Sequence, residues 1–369
     1  MSPPAWKPNW GGARMPPILR IGDREVGEGC PVFVIAEAGC NHENDFERAK
    51  EMVTAAALAG ADAVKFQAFN PDTLVTRDAP KFWDIPGPGN TQYEEFADAM
   101  PRFSPEQYRE LIALADRNGI LFFSTPCDEA WADALDGLGV KLFKIASMDI
   151  THLPLLRHVA RKGKPVILST GASYLEEVRA AVEAIRAEGN DRIALLHCVS
   201  SYPTDPADVN LRMMRGLLEE FPDCVIGYSD HTLPEAGRCV PSLAVAAGAK
   251  VIEKHFTFDR SRPGYDHEIS VDYAGLKELV ARFRAVERIL GGTEKIPAAS
   301  EERARRWGRR SLVAKVTIPQ GTRITPEMLA VKRPGTGIDP KFLPQVLGKS
   351  AASDIREDQV VTWEAIESR

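Results

Sequence analysis

Residues 32–67 read VFVIAEAGCNHENDFERAKEMVTAAALAGADAVKFQ. The stretch opens on an apolar run, VFVIAEAG (32–39), passes through FERAKEMVTAAALAG, and closes on a second run, ADAVKFQ (61–67). Apolar runs without polar alternation suit strands buried on both faces. The middle segment spaces its apolar residues three and four apart and stops at Gly60, which is the pattern of an amphipathic helix. Six more runs follow: ILFFSTP (120–126), KLFKIAS (141–147), PVILSTG (165–171), IALLHC (193–198), VIGYSD (225–230) and KVIEKHF (250–256). Helical stretches lie between them, among them PEQYRELIALADRNG, TGASYLEEVRAAVEAIRAEG and, after the last run, DYAGLKELVARFRAVERILGG; DEAWADALDGLG, LPLLRHVARKG and LPEAGRCVPSLAVAAG are shorter and weaker. Eight strand–helix repeats in about 260 residues predict an α/β fold, a (β/α)8 TIM barrel. A doubly wound open sheet is the lesser alternative, because no Gly-rich nucleotide fingerprint is present.

The remainder divides around the barrel. Residues 1–30 are expected to be a tail and barrel cap, 31–292 the barrel, 293–308 a charged linker, and 309–369 a small β-rich domain broken by Gly and Pro turns. Residues 68–103 form one long connection, read either as a lid or as a solvated insertion. The chain has 369 residues with 46 Lys+Arg against 52 Asp+Glu, a net charge of −6. That balance argues against nucleic acid as a partner. No window approaches the ~20 apolar residues of a membrane span, and the N-terminus MSPPAWKPNWGGARMPP has no apolar signal core. The six cysteines show no CxxC pair, which points to reduced thiols and a cytoplasmic protein.

Active sites of such barrels lie at the C-terminal ends of the strands. Those ends carry Glu37; Lys65 and Gln67; Ser124 and Thr125; Lys144 and Ser147; Ser169 and Thr170; His197; Ser229, Asp230 and His231; and Glu253, Lys254 and His255. Lys65 and Lys144 with the hydroxyls of Thr125, Ser147, Ser169 and Ser229 read as an anion site. The bland alternative is that the lysines pair with barrel carboxylates such as Glu37. His231 and His255 end neighbouring strands and read either as ligands of one divalent metal or as capping histidines. Glu37 is a candidate proton carrier or a partner that orients Lys65. His197 ranks below the other two histidines and reads as a loop anchor, while Asn41 and His42 read as fixing the turn after the first strand.

Together AEAGCNHENDFERAKEMVTAAALAGADAVKFQ, FFSTPCDE, LFKIASMDI, VILSTGAS, LHCVSSYPT, IGYSDHT, IEKHFTFDR and GYDHEIS resemble the sialic acid (nonulosonic acid) synthase family. The tail RRSLVAKVTIPQGTRIT, VKRPGTGI and LGKSAASDI resembles its antifreeze-like (SAF) domain. The resemblance implies a transferase that condenses phosphoenolpyruvate with an open-chain N-acylated aminosugar to a nine-carbon 2-keto acid plus phosphate. It implies a divalent metal, Mn2+ ahead of Mg2+ or Co2+, on His231 and His255, and a domain-swapped homodimer. Residue by residue, Glu37 matches the catalytic glutamate. Lys65, Thr125, Lys144, Ser147, Ser169 and Ser229 match phosphoenolpyruvate-binding positions, and Ser200 stands where an Asn helps bind phosphate. Gln67, Tyr202 and Asp266 match sugar contacts, Asp149 stands where a longer Glu reaches the sugar, and Arg333 matches the arginine offered by the swapped domain. Asn44 and Tyr265 depart from the family's usual Gly and Pro, and segment 80–92 does not align with the expected sugar loop. Two other functions remain open: a different phosphoenolpyruvate–aldose condensing barrel, and a non-catalytic barrel that binds a glycan.

Overall fold

The computed structural model describes residues 17–83, 87–237 and 239–366, apart from the side chains of 236 and 237. The chain divides into two compact units at Gly291/Gly292. Of the expected tail and cap, residues 1–16 lie outside the described residues. The described part forms an antiparallel hairpin, β1 (Ile18–Ile21) and β2 (Arg24–Gly27).

Eight parallel strands follow: β3 (Phe33–Gly39), β4 (Ala63–Ala68), β5 (Leu121–Pro126), β6 (Phe143–Ile145), β7 (Val166–Ser169), β8 (Ile193–His197), β9 (Val225–Asp230) and β10 (Val251–His255). Their order is β5-β4-β3-β10-β9-β8-β7-β6, so the first barrel strand pairs with the last. β5 and β6 lie side by side and bring the ring round, with no regular ladder between them among the described residues. The barrel and its eight strands are therefore as the sequence predicts, each strand falling inside or within one residue of its apolar run.

Strand geometry puts alternate residues inside the ring. The inward set Phe33, Ile35, Ala63, Phe123, Leu142, Ile167, Ala194, Leu196, Val225 and Val251 fills the lower barrel, and Leu19, Ile21 and Val26 of the hairpin join it. Burying these three hairpin residues contributes about 1.5–3 kcal/mol each. The outward set packs on the helices as the larger core.

The helices hold three differences from expectation. LPEAGRCVPSLAVAAG gives two pieces, Pro234–Gly237 and Val240–Ala246, because Pro241 has no N–H to carry a continuous helix and sits instead at a helix start. The connection after β8 contains a helix, Met213–Glu220, that the apolar spacing did not announce. The long connection 68–103, read as a lid or a solvated insertion, holds helices Pro71–Leu74 and Gln92–Ala99. The second of these starts on a reciprocal Thr91/Glu94 capping box, a T-x-x-E signature readable in the sequence.

In the second unit the segment expected to be irregular, 293–308, carries a short helix, Glu302–Gly308. Beyond it β11 (Ser311–Ala314) and β12 (Leu329–Lys332) pair antiparallel, and isolated bridges such as Ile318 to Ile355 tie the remaining turns. Leu312, Ile318, Ile324, Ile338, Val346, Ile355 and Val361 form its own core.

Candidate active site

A cavity of about 520 Å³ opens at the C-terminal ends of the barrel strands. Its floor is built by the inward parity already filling the barrel below. Glu37 continues Phe33 and Ile35; Lys65 and Gln67 continue Ala63; Thr125 continues Phe123; Lys144 continues Leu142; Ser169 continues Ile167; Ser229 and His231 continue Val225; Glu253 and His255 continue Val251. The same alternation removes His197 and Lys254 from the site. His197 bonds Val209 O at 2.6 Å and anchors a loop, as its sequence context suggests. Lys254 is fully buried against Asp230 at 2.7 Å on the outer side of the strands.

Both lysines of the floor are paired with carboxylates. Lys65 Nζ lies 2.9 Å from Glu37 and 3.6 Å from Glu253, and donates to Thr125 at 3.2 Å. Lys144 Nζ lies 3.6 Å from Glu253. Ser229 donates to Glu253 at 3.1 Å, and Gln67 donates to Glu37 at 3.1 Å. The bland alternative for the lysines is thus true of this structure, yet the hydroxyls stand around them as an anion site requires. Glu253, noted in the sequence only as a strand-end residue, is the hub of the cluster. Its inward parity was the signal that separates it from Lys254.

The electrostatics follow from burial and neighbours. Burial disfavours the Glu253 carboxylate, but Lys144 and Lys65 outweigh it and hold the carboxyl down at about 2. Burial lowers the Lys65 pKa, but Glu253 and Glu37 more than offset this and leave it raised. Lys144, with one carboxylate further off, stays lowered by burial. The four groups nearly cancel in charge.

His231 and His255 face each other with ring centroids 5.3 Å apart, and Tyr202 packs on His231 at 4.3 Å. His231 Nδ1 bonds Val199 O at 2.8 Å, which fixes the proton there and leaves Nε2 as a lone pair. Burial, then His255, push its pKa down to about 4, so the ring is neutral at pH 7. His255 Nδ1 has no well-aligned hydrogen bond, although Asp266 Oδ2 lies 3.3 Å away. Two neutral-capable imidazoles in one cavity fit a divalent cation completed by water or substrate. Among the described residues no third His, Cys, Asp or Glu completes a ligand cluster.

Gly39 ends β3 at φ +52°, a backbone conformation that L side chains rarely adopt, close beside Glu37, Gln67 and Asp266. Asn41 donates to Phe256 O and Ser270, which fixes the following turn as expected. Gln67, Asp149, Tyr202 and Asp266 all line the cavity, with Asp149 pushed up to about 6 chiefly by burial. Ser147 is held by Gly171 N at 3.0 Å and Cys198 Sγ at 3.1 Å. Ser200 is not on the cavity wall; its buried hydroxyl sits behind Gly171, without a partner. Arg333 is exposed on the second unit, which is described by itself. The wall opposite the floor comes from the long connection, where Phe69, Phe96, Trp83 and Phe82 contact one another in series at 5.4, 5.7 and 4.8 Å. No single residue of that wall was marked in the sequence.

The pattern of the NeuB family matches residues 52–295, and that of the SAF domain residues 309–367. The chain is 43% identical over 353 residues to the N,N'-diacetyllegionaminic acid synthase of Legionella pneumophila, covering 94% of this chain and 98% of that protein. It is 37% identical over 348 residues to the N-acetylneuraminate-9-phosphate synthase of Mus musculus, covering 94% and 95%. The crystal structure of an N-acetylneuraminic acid (sialic acid) synthetase from Leptospira borgpetersenii in complex with citrate superposes with a TM-score of 0.70 at 37% identity, covering 78% of this chain and 95% of that one. A chain matched over most of its length by one family pattern, and carrying the SAF domain after it, belongs to the NeuB family, the sialic acid synthase family. No helix among the described residues is long and apolar enough to cross a membrane.

Proposed function

We propose that this chain condenses phosphoenolpyruvate with an open-chain N-acylated aminosugar, forming a nine-carbon 2-keto acid and inorganic phosphate. The observation that carries the reading is the meeting of Lys65, Lys144, Glu37 and the Thr125, Ser169 and Ser229 hydroxyls on one floor beside His231 and His255. Carbon 3 of phosphoenolpyruvate attacks the aldehyde carbon, water adds at carbon 2, and the tetrahedral adduct loses phosphate by C–O cleavage. Lys65, Lys144 and the hydroxyls hold the phosphate and carboxylate of the enol ester in place, so positioning supplies much of the rate. Glu37, 2.9 Å from Lys65, manages the proton of the added water.

His231 and His255 would hold the divalent cation, with Mn2+ first among Mn2+, Mg2+ and Co2+. Bound there, it would polarise the aldehyde oxygen of the sugar. A floor whose own charges nearly cancel needs such added positive charge to accept a highly anionic substrate. Gln67, Asp149, Tyr202 and Asp266 contact the sugar, and Arg333 of a second copy reaches its acyl group in a domain-swapped homodimer. The six cysteines are all free, which suits a cytoplasmic setting.

The test is phosphate release from phosphoenolpyruvate with N-acylated aminosugars and Mn2+, with the product identified by mass. A seven- or eight-carbon product from simple aldose phosphates would overturn the proposal, as would no phosphate from any sugar. Exhaustive chelation should abolish turnover and Mn2+ should restore it, while His255→Ala should bind no Mn2+ in the absence of substrate.

A further inference from the structure

The ladder that joins β9 to β10 stops just short of the two cavity histidines. It pairs Ile252 with Tyr228, Glu253 with Ser229 and Lys254 with Asp230, and ends there, one residue before His231 and His255. We infer that the buried Lys254–Asp230 pair is a positioning clamp that sets the two imidazoles for one divalent cation. This rests on the metal reading given above. Neither residue lines the cavity. Both act through the histidines that follow them in the chain.

On the outer face of the strands Lys254 Nζ donates to Asp230 Oδ2 at 2.7 Å and to Thr232 O at 2.7 Å. The second bond carries the link from β10 past His231 to the residue after it. The Asp230 carboxylate also accepts from Tyr228 OH at 2.9 Å and from Thr232 Oγ1 at 3.0 Å. Asp230 and Thr232 therefore hold the backbone on both sides of His231, and Tyr228, Asp230, Thr232 and Lys254 are all buried. Other bonds to the histidines run to other elements. Thr204 N donates to His231 O at 3.0 Å, His231 Nδ1 donates to Val199 O at 2.8 Å, and Val271 N donates to His255 O at 2.9 Å. Those bonds hold each histidine by itself, whereas the clamp fixes one against the other. A buried ion pair is weak support for stability, because taking both charges out of water offsets most of their attraction. What a fully hydrogen-bonded pair adds over an apolar one is a fixed relative position. A metal site needs that, since its ligands must stand within about 0.5 Å of the productive geometry.

The test uses the full chain, stripped of metal, with Mn2+ binding followed by EPR in the absence of substrate and melting followed in chelator. Lys254→Met combined with Asp230→Asn is neutral, close in shape, and keeps an acceptor for Tyr228 and Thr232. It should raise the Mn2+ dissociation constant about 10- to 100-fold. Thr232→Val keeps the ion pair and removes one donor to Asp230, so it carries the test should the double variant not fold. It should raise the constant about threefold or more. Val159→Ala truncates a buried residue in the helix Leu153–Arg161, between β6 and β7 in the chain. It should lower the melting temperature yet leave the Mn2+ constant within about twofold of wild type. Mn2+ held as tightly as in wild type by either folded clamp variant would overturn the inference and leave the metal reading standing. An equal loss of Mn2+ affinity in Val159→Ala would do the same, because it would make the effect one of general destabilisation. No Mn2+ bound by the wild-type chain would overturn the metal reading and the inference together.

Discussion

Glu37 and Glu253 both touch Lys65, but their surroundings assign them different work. Glu37 has Gln67 on its second oxygen and faces the cavity beside Asp266 across Gly39. Glu37→Gln keeps the shape and the hydrogen bond from Gln67, so the fold should survive while phosphate release falls by about 10²–10⁴. A near wild-type rate in steady-state assays would remove Glu37 from proton transfer. Glu253 instead neutralises two buried lysines. Glu253→Gln takes from Lys144 its carboxylate and leaves Lys65 with Glu37 alone, and should cost about 3–5 kcal/mol at neutral pH. Its folded pKa of about 2 lies below the ordinary 4.5, so its stabilisation is complete above pH 4.5 and is lost as the pH falls toward 2. Denaturation series should therefore show the wild-type advantage shrinking below pH 4.5, and a pH-independent gap would contradict the pairing.

At the scale of elements, the barrel works because each strand uses its two faces separately. β9 shows how little slack this leaves. A Cβ on Gly227, which has inward parity below Ser229, would fall 2.5 Å from Val251 O and 2.6 Å from Leu196 Cδ2. Gly227→Ala should cost about 1–3 kcal/mol through overpacking. That would lower the melting temperature by a few degrees, and an unchanged melting curve would show that the floor has room. The same two-residue period made most of the site legible. Glu37, Lys65, Lys144, Ser229, His231 and His255 were readable because strand ends of a barrel converge and alternate residues face in. Glu253 shares the inward parity of Val251 and His255, but the two lysines it meets come from other strands, so its role as their common partner was not legible along the chain. The helix Gln92–Ala99 escaped because an isolated turn or two of helix has weak periodicity, although Thr91 and Glu94 mark its start.

For the whole molecule, the swapped-domain proposal makes Arg333 a sugar-side group supplied by the second unit. Arg333→Ala should raise the KM of the aminosugar several-fold more than that of phosphoenolpyruvate, because a rim arginine lost from one substrate leaves the other's contacts intact. Equal effects on both constants, or a monomer in light scattering, would count against the swap. The sequence by itself determined the barrel, the second β-rich unit and which residues stand at the strand ends. Those follow from periodicity and from chain order, which are local properties. Only the tertiary structure decided that the lysines meet Glu253, that Ser200 stands behind Gly171, and that Phe69, Trp83 and Phe96 form one apolar wall. Each of these is a contact between residues distant along the chain, and the distance at which two side chains meet is set by how the strands and their connections pack.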